Sequence, residues 1–116
     1  MYNYAVLGAG RQGQAIAFDI AINGNANNVT IIDKDFNIAN NAKVRLNKIQ
    51  NEIKINSFKL DVTNIVELKE NLKNYDTVIS AVPYFFNESI TEIAIKNNFN
   101  LIDLGGNTEI VKKQLS

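Results

Sequence analysis

The chain has 116 residues, 46% hydrophobic and 21% charged, with twelve cationic and twelve acidic side chains and a formal net charge of zero. That bounds it to one globular domain with a single core and argues against a nucleic-acid-binding surface, since no basic block occurs. It has no cysteine and no histidine, which excludes disulfides, thiolate nucleophiles, zinc–thiolate sites and the usual general base near neutral pH. No uncharged apolar run reaches membrane-spanning length and no signal peptide is evident, so the expectation is a cytoplasmic protein without a membrane or nucleic-acid partner.

The first element predicted is a strand at Tyr4–Leu7, leading directly into Gly8-Ala9-Gly10-Arg11-Gln12-Gly13. A helix follows over about Gln12–Ile22, stopped by Asn23-Gly24-Asn25, with Gly24 suited to a left-handed cap. A second strand, Val29–Ile32, ends on Asp33. Strand, G-x-G-x-x-G, helix, strand and a terminal acid about 20 residues beyond the glycines together form the dinucleotide-binding fingerprint. Gly8 is expected to turn the chain sharply, Gly10 to admit a pyrophosphate, and Gly13 to let the helix pack on the sheet. The helix N-terminus then offers free N–H groups and the positive end of its dipole. Arg11 and Gln12 lie in this phosphate loop, with Arg11 equally readable as a solvated rim side chain. Asp33 is expected on the adenosine ribose hydroxyls, which favours NAD over NADP because a carboxylate repels a 2′-phosphate. Lys34 is a neighbouring cation that softens that repulsion.

A second helix is predicted over about Phe36–Lys48, with Ile38, Ala39, Ala42, Leu46 and Ile49 at helical spacing. A third strand lies within Ile53–Leu60. Asp61 and Val62 follow it and are expected near the adenine; Asp61 is equally suited to accept from the exocyclic amine or to cap the next helix, for which Thr63 is the other candidate cap. Ile65, Leu68 and Leu72 line one face of that helix. Thr77–Ser80 is apolar enough for a central parallel strand. It is followed by Ala81-Val82-Pro83, a low loop whose backbone can meet the nicotinamide ribose or the pyrophosphate. Asn87 is a candidate cap for a fourth helix, Phe99–Leu104 holds a fifth strand, Gly105-Gly106-Asn107 breaks the chain, and Thr108–Leu115 resembles the start of another helix. The rhythm predicts a doubly wound parallel α/β sheet of the Rossmann type, about five strands in order 3-2-1-4-5 with helices on both faces.

Three segments together, V-L-G-A-G-R-Q-G at 6–13, S-A-V-P-Y-F-F-N at 80–87 and D-L-G-G-N-T at 103–108, resemble the saccharopine dehydrogenase family across essentially the whole chain, nearest to its lysine 6-dehydrogenase-like branch. The resemblance implies an NAD(P)-dependent oxidoreductase acting on the C–N bond of an amino acid or its imine adduct, with a second, mixed α/β domain supplying most substrate contacts. This chain would then be an N-terminal cofactor-binding fragment, or a shortened relative, inactive alone, with a homodimer as the expected assembly of the full form. The carried-over positions are Gly8, Gly10, Arg11, Gln12, Gly13, Asp33, Ala81, Val82, Pro83 and Asn107. Tyr84 and Phe85 would lie over the cleft and Phe86 under the fourth helix. Asp103 reads better as an acceptor for the following glycine turn than as a catalytic group. No proton-transfer residue can be assigned. The competing reading is a standalone NAD(H)- or adenine-nucleotide-sensing domain of the kind that gates potassium transport, against which the 80–87 and 103–108 segments tell. A methyl- or nucleotidyl-transfer enzyme finds no support after the fourth strand.

Overall fold

The computed structural model describes residues 2–61, 63–81 and 100–103. Eight elements follow in order: β1 (Tyr2–Leu7), α1 (Arg11–Asn23), β2 (Ala26–Asp33), α2 (Phe36–Ile49), β3 (Ile55–Lys59), α3 (Ile65–Leu72), β4 (Thr77–Ser80) and β5 (Asn100–Asp103). The five strands form one sheet in the order β3-β2-β1-β4-β5, every pair parallel. This is the predicted doubly wound order.

The strands are apolar because both faces are covered. On one face Ala17 and Ala21 of α1 and Ala42 and Leu46 of α2 pack on Val6, Val29, Ile31, Ile55 and Ile79. On the other, Leu68 and Leu72 of α3 pack on Ala5, Leu7, Ile32 and Val78. Side chains of alternating direction along β1 and β2 thus feed two cores. Full burial of each Leu, Ile or Val contributes on the order of 1.5–3 kcal/mol.

Small residues let the helices approach closely. The buried positions of α1 are Gly13, Ala17 and Ala21, and those of α2 are Ala39, Ala42 and Leu46. Ile38 and Ile49, expected on the inward face of α2, are 46% and 59% exposed. The stripe of small residues already fills the available contact.

Gly24 corrects a second expectation. Its φ is −89°, and its N–H donates to the Ile20 carbonyl at 2.8 Å. The left-handed residue is Asn25, at φ 49°, one of the few side-chain-bearing types that tolerate that region. Gly24 is required for space instead, because a Cβ there would meet Ile20 Cγ2 and the Ile20 carbonyl at 2.8 Å.

Strands β1 and β2 begin earlier than hydropathy suggested, at Tyr2 and Ala26. Polar links join the starts of these strands, where Ala26 is also buried in the core. Asn27 Nδ2 donates to Asn3 Oδ1, Asn56 Nδ2 to Asn28 Oδ1, and the Asn3 N–H to Asp76 Oδ2. The fourth and terminal predicted helices lie outside the described residues.

Candidate functional site at the carboxyl edge of the sheet

Strands β1 to β4 end in register, Leu7 beside Ile32 and Ser80, and Asp33 beside Lys59. Backbone bonds carry that order into the loops. The Gly8 N–H donates to the Ile32 carbonyl at 2.7 Å, Leu60 to Asp33 at 3.0 Å and Ala81 to Leu7 at 2.8 Å. Gly8, Asp33, Asp61 and Ala81 therefore leave one edge of the sheet, the edge at which ligands of open parallel sheets bind.

Gly8 and Gly13 of the first loop have the separate structural tasks expected of them. Gly8 adopts φ 100°, open to glycine alone at acceptable cost. Gly13 is buried, and a Cβ there would collide with the Gly8 carbonyl. Gly10 is exposed, and a Cβ built on it would have no heavy atom within 4 Å. Its lack of a side chain answers no need of the fold; it leaves an open approach to backbone.

Gly10 is also the N-cap of α1, with no side-chain cap and no acid in the first turn. The Gln14 N–H is the first to bond back, to the Gly10 carbonyl at 3.0 Å. The N–H groups of Arg11, Gln12 and Gly13 thus open the helix without i−4 acceptors. Arg11 and Gln12 are exposed. A guanidinium at the first helical position opposes the helix dipole, by about 0.3–1 kcal/mol in exposed sites. An anion at this terminus would reverse that sign.

Asp33, expected on a ribose, has a structural task as well. Its Oδ2 accepts from the Ala9 N–H and its Oδ1 from the Asp35 N–H, both at 3.0 Å. It joins the glycine loop to the start of α2, and its oxygens keep lone pairs for further donors. Lys34 is exposed. Its charge acts on Asp61 across the ends of β2 and β3.

Asp61 caps no helix. Its Oδ1 accepts from the Thr63 hydroxyl at 2.7 Å and the Thr63 N–H at 2.9 Å. The Thr63 hydroxyl bond, then the Thr63 backbone bond, with Lys34 a smaller contribution, hold its carboxyl below the usual value of 3.8. With Asp61 and Thr63 engaged with each other, Asn64 caps α3 instead, its Oδ1 accepting from the Glu67 N–H at 3.2 Å. The exchange is reciprocal, since Asn64 Nδ2 donates to Glu67 Oε2. Asn followed three residues later by Glu was a readable signal of that start.

Gln14 is the residue that motif reasoning missed. Its Nε2 donates to the Ala9 carbonyl at 2.9 Å. Ala81 is half-buried at the end of β4. Val62, Val82, Pro83, Tyr84, Phe85, Phe86, Asn87 and Asn107, and the Asp103 side chain, lie outside the described residues. Among the described residues no cluster of acids, histidines or cysteines could hold a metal, and no helix is long and apolar enough to cross a membrane. A cavity of about 340 Å³ lies at the other end of β3, lined by Asn47, Gln50, Asn51, Ile53 and Lys54. Its amides serve the backbone: Asn47 bonds both polar groups of Ile55, and Gln50 bonds both of Ile53.

An uncapped helix start beside a glycine with free space and an acid ending β2 has the geometry that the dinucleotide motif calls for. The family model for the saccharopine dehydrogenase NADP binding domain matches residues 4–116. This chain belongs to that family. The resemblance read from segments 6–13, 80–87 and 103–108 is borne out. The family's name specifies NADP, so the match supports a pyridine dinucleotide without supporting the expected preference for NAD.

Solved structures share the saccharopine dehydrogenase domain's fold. Apo saccharopine dehydrogenase (L-Glu forming) from Saccharomyces cerevisiae superposes with a TM-score of 0.81 at 23% identity, covering 97% of this chain and 24% of that one. UDP-glucose 4-epimerase from Bifidobacterium longum, in complex with NAD+ and UDP, gives 0.71 at 16% identity, covering 87% of this chain and 36% of that one. A short-chain dehydrogenase/reductase (wide type) from Veillonella parvula, in complex with NADP, gives 0.63 at 18%, covering 89% and 47%. The chain thus spans about a quarter of the length of the yeast enzyme.

Proposed function

We propose that this chain is the cofactor-binding domain of a pyridine-dinucleotide-dependent oxidoreductase that acts on the C–N bond of an amino acid or its imine adduct. The uncapped start of α1 beneath the open face of Gly10 carries this reading. The pyrophosphate would lie against the backbone of Gly8, Gly10, Arg11, Gln12 and Gly13, with the cationic Arg11 at the rim. Asp33 would meet the adenosine ribose, Asp61 and Val62 would border the adenine, and Ala81, Val82, Pro83 and Asn107 would border the nicotinamide end. When bound, the nicotinamide supplies the hydride chemistry; the chain positions it and excludes water. A second domain would supply the substrate contacts and the proton-transfer group. Family membership supports the oxidoreductase class, and the resemblance of segments 80–87 and 103–108 supports the amino-acid substrate and a role in lysine metabolism. A cytoplasmic location fits a chain of this composition.

Between the two dinucleotides we favour NAD, because the Asp33 carboxylate would face a 2′-phosphate with like charge. Calorimetric titration with NAD, NADH, NADP and ATP tests this. Binding of NAD or NADH well above NADP is the expected result. Tighter binding of NADP would place the 2′-phosphate away from Asp33, and tighter binding of ATP would favour a nucleotide sensor. Asp33→Ser should lower the NAD-to-NADP preference; an unchanged ratio would remove Asp33 from the ribose.

A further inference from the structure

We propose that Gln14 is a positioning residue for the phosphate loop, acting with Asp33 to lock the two peptide planes on either side of Ala9. The proposal rests on the dinucleotide reading of the site. Ala9 is wholly buried between two glycines, whose soft dihedrals make the adjoining peptide planes easy to turn. In a trans peptide the C=O of one residue and the N–H of the next point in opposite directions. The Ala9 N–H is held by Asp33 Oδ2 at 3.0 Å. The Gly8 carbonyl is therefore directed the other way, onto the place where Gly13 has room for no Cβ. The Ala9 carbonyl is held by Gln14 Nε2 at 2.9 Å. The Gly10 N–H must then point away from Gln14, and among the described residues it has no acceptor.

Without Gln14, the Ala9–Gly10 plane loses its only side-chain tether among the described residues. Turning it would replace a donor with a carbonyl oxygen at an anion site. Gln14 lies one turn into α1 and reaches back to the residue preceding its N-cap. The helix that presents its N–H groups to the phosphates thus also sets the loop before it. The ligand feature recognised is the diphosphate, common to NAD(H), NADP(H) and ADP.

The experiment compares the 116-residue chain with Gln14→Ala and Gln14→Met by NMR titration with NADH, ADP and adenosine. Alanine keeps the helix, and methionine keeps the length while removing the donor without adding a charge. Loss of one neutral hydrogen bond corresponds to about a fivefold to tenfold loss of affinity. That loss is expected for NADH and ADP in both variants, with adenosine unchanged and the unfolding midpoint kept. ¹⁵N relaxation dispersion at Gly8–Gly10, expected to rise in the ligand-free variants, reads the loop without any ligand. Diphosphate affinity equal to wild type, or an equal loss for adenosine, would overturn the role of Gln14 while leaving the site intact. Failure of the wild type to bind NADH and ADP would overturn the dinucleotide reading, and this inference with it.

Discussion

Helices α1 and α2 begin within 25 residues of each other at the same sheet edge, and they begin in opposite ways. At α2 the chain satisfies its own donors: Asp35 Oδ1 accepts from the N–H of Asn37 at 2.8 Å and of Ile38 at 3.3 Å. At α1 a glycine occupies the cap position, no side chain among the described residues reaches the free N–H groups, and the first side chain is a cation. An Asp at an N-cap is worth about 1 kcal/mol over alanine and about a few tenths of a kcal/mol over glycine. The sequence takes that gain at α2 and forgoes it at α1. That omission is what the proposed dinucleotide site at the start of α1 would use.

The comparison can be broken most severely at Gly13. Gly13→Ala forces a Cβ into the Gly8 carbonyl, so it should cost roughly 3 kcal/mol of stability and abolish dinucleotide binding; urea unfolding and calorimetry check the two effects. Gly10→Val separates them. The free space around Gly10 should limit the loss of stability to about 1 kcal/mol, while the new side chain fills the pyrophosphate approach and binding falls below detection. Retained binding would show that the phosphates lie elsewhere. Asp35→Ala should cost about 1 kcal/mol through the lost cap and leave dinucleotide affinity unchanged, which would sharpen the contrast between the two helix starts.

The smallest effect belongs to Asp61. Its carboxyl is depressed in the folded chain, so its contribution is present above the unfolded value near 3.8 and disappears as pH falls through the lower folded value. Thr63→Val removes the hydroxyl donor and should move the Asp61 midpoint up toward 3.8. A carboxyl-detected NMR titration reads it directly. No movement would show that the Thr63 hydroxyl does not set the charge of this turn.

Much of the fold was legible because its determinants are local. Apolar runs of strand length, helical spacing of small residues and the glycine punctuation lead to β1, α1, β2, α2 and the 3-2-1-4-5 order. The misreadings share one cause: a residue of the right type had its side chain or its space committed elsewhere. Thr63 was a fair cap until Asp61 claimed it. Gly24 was a fair left-handed residue until its contact with Ile20 and the tolerance of Asn25 moved the turn. Ile38 and Ile49 had the right spacing but not the right neighbours, because alanines bring α2 closer to the sheet than larger side chains would.

The sequence by itself determined the class of ligand, since G-x-G-x-x-G between strand and helix and an acid ending the next strand need no partner to be recognised. Tertiary structure alone decided how that loop is held. The bonds from Asp33 to Ala9 and from Gln14 to Ala9 span 24 and 5 positions. The longer one exists only because β2 lies beside β1 in register, and the shorter one only because α1 turns Gln14 back over the loop. Spacing can say which residues are suited to a task; only the packing of strand against strand says which task each one is given.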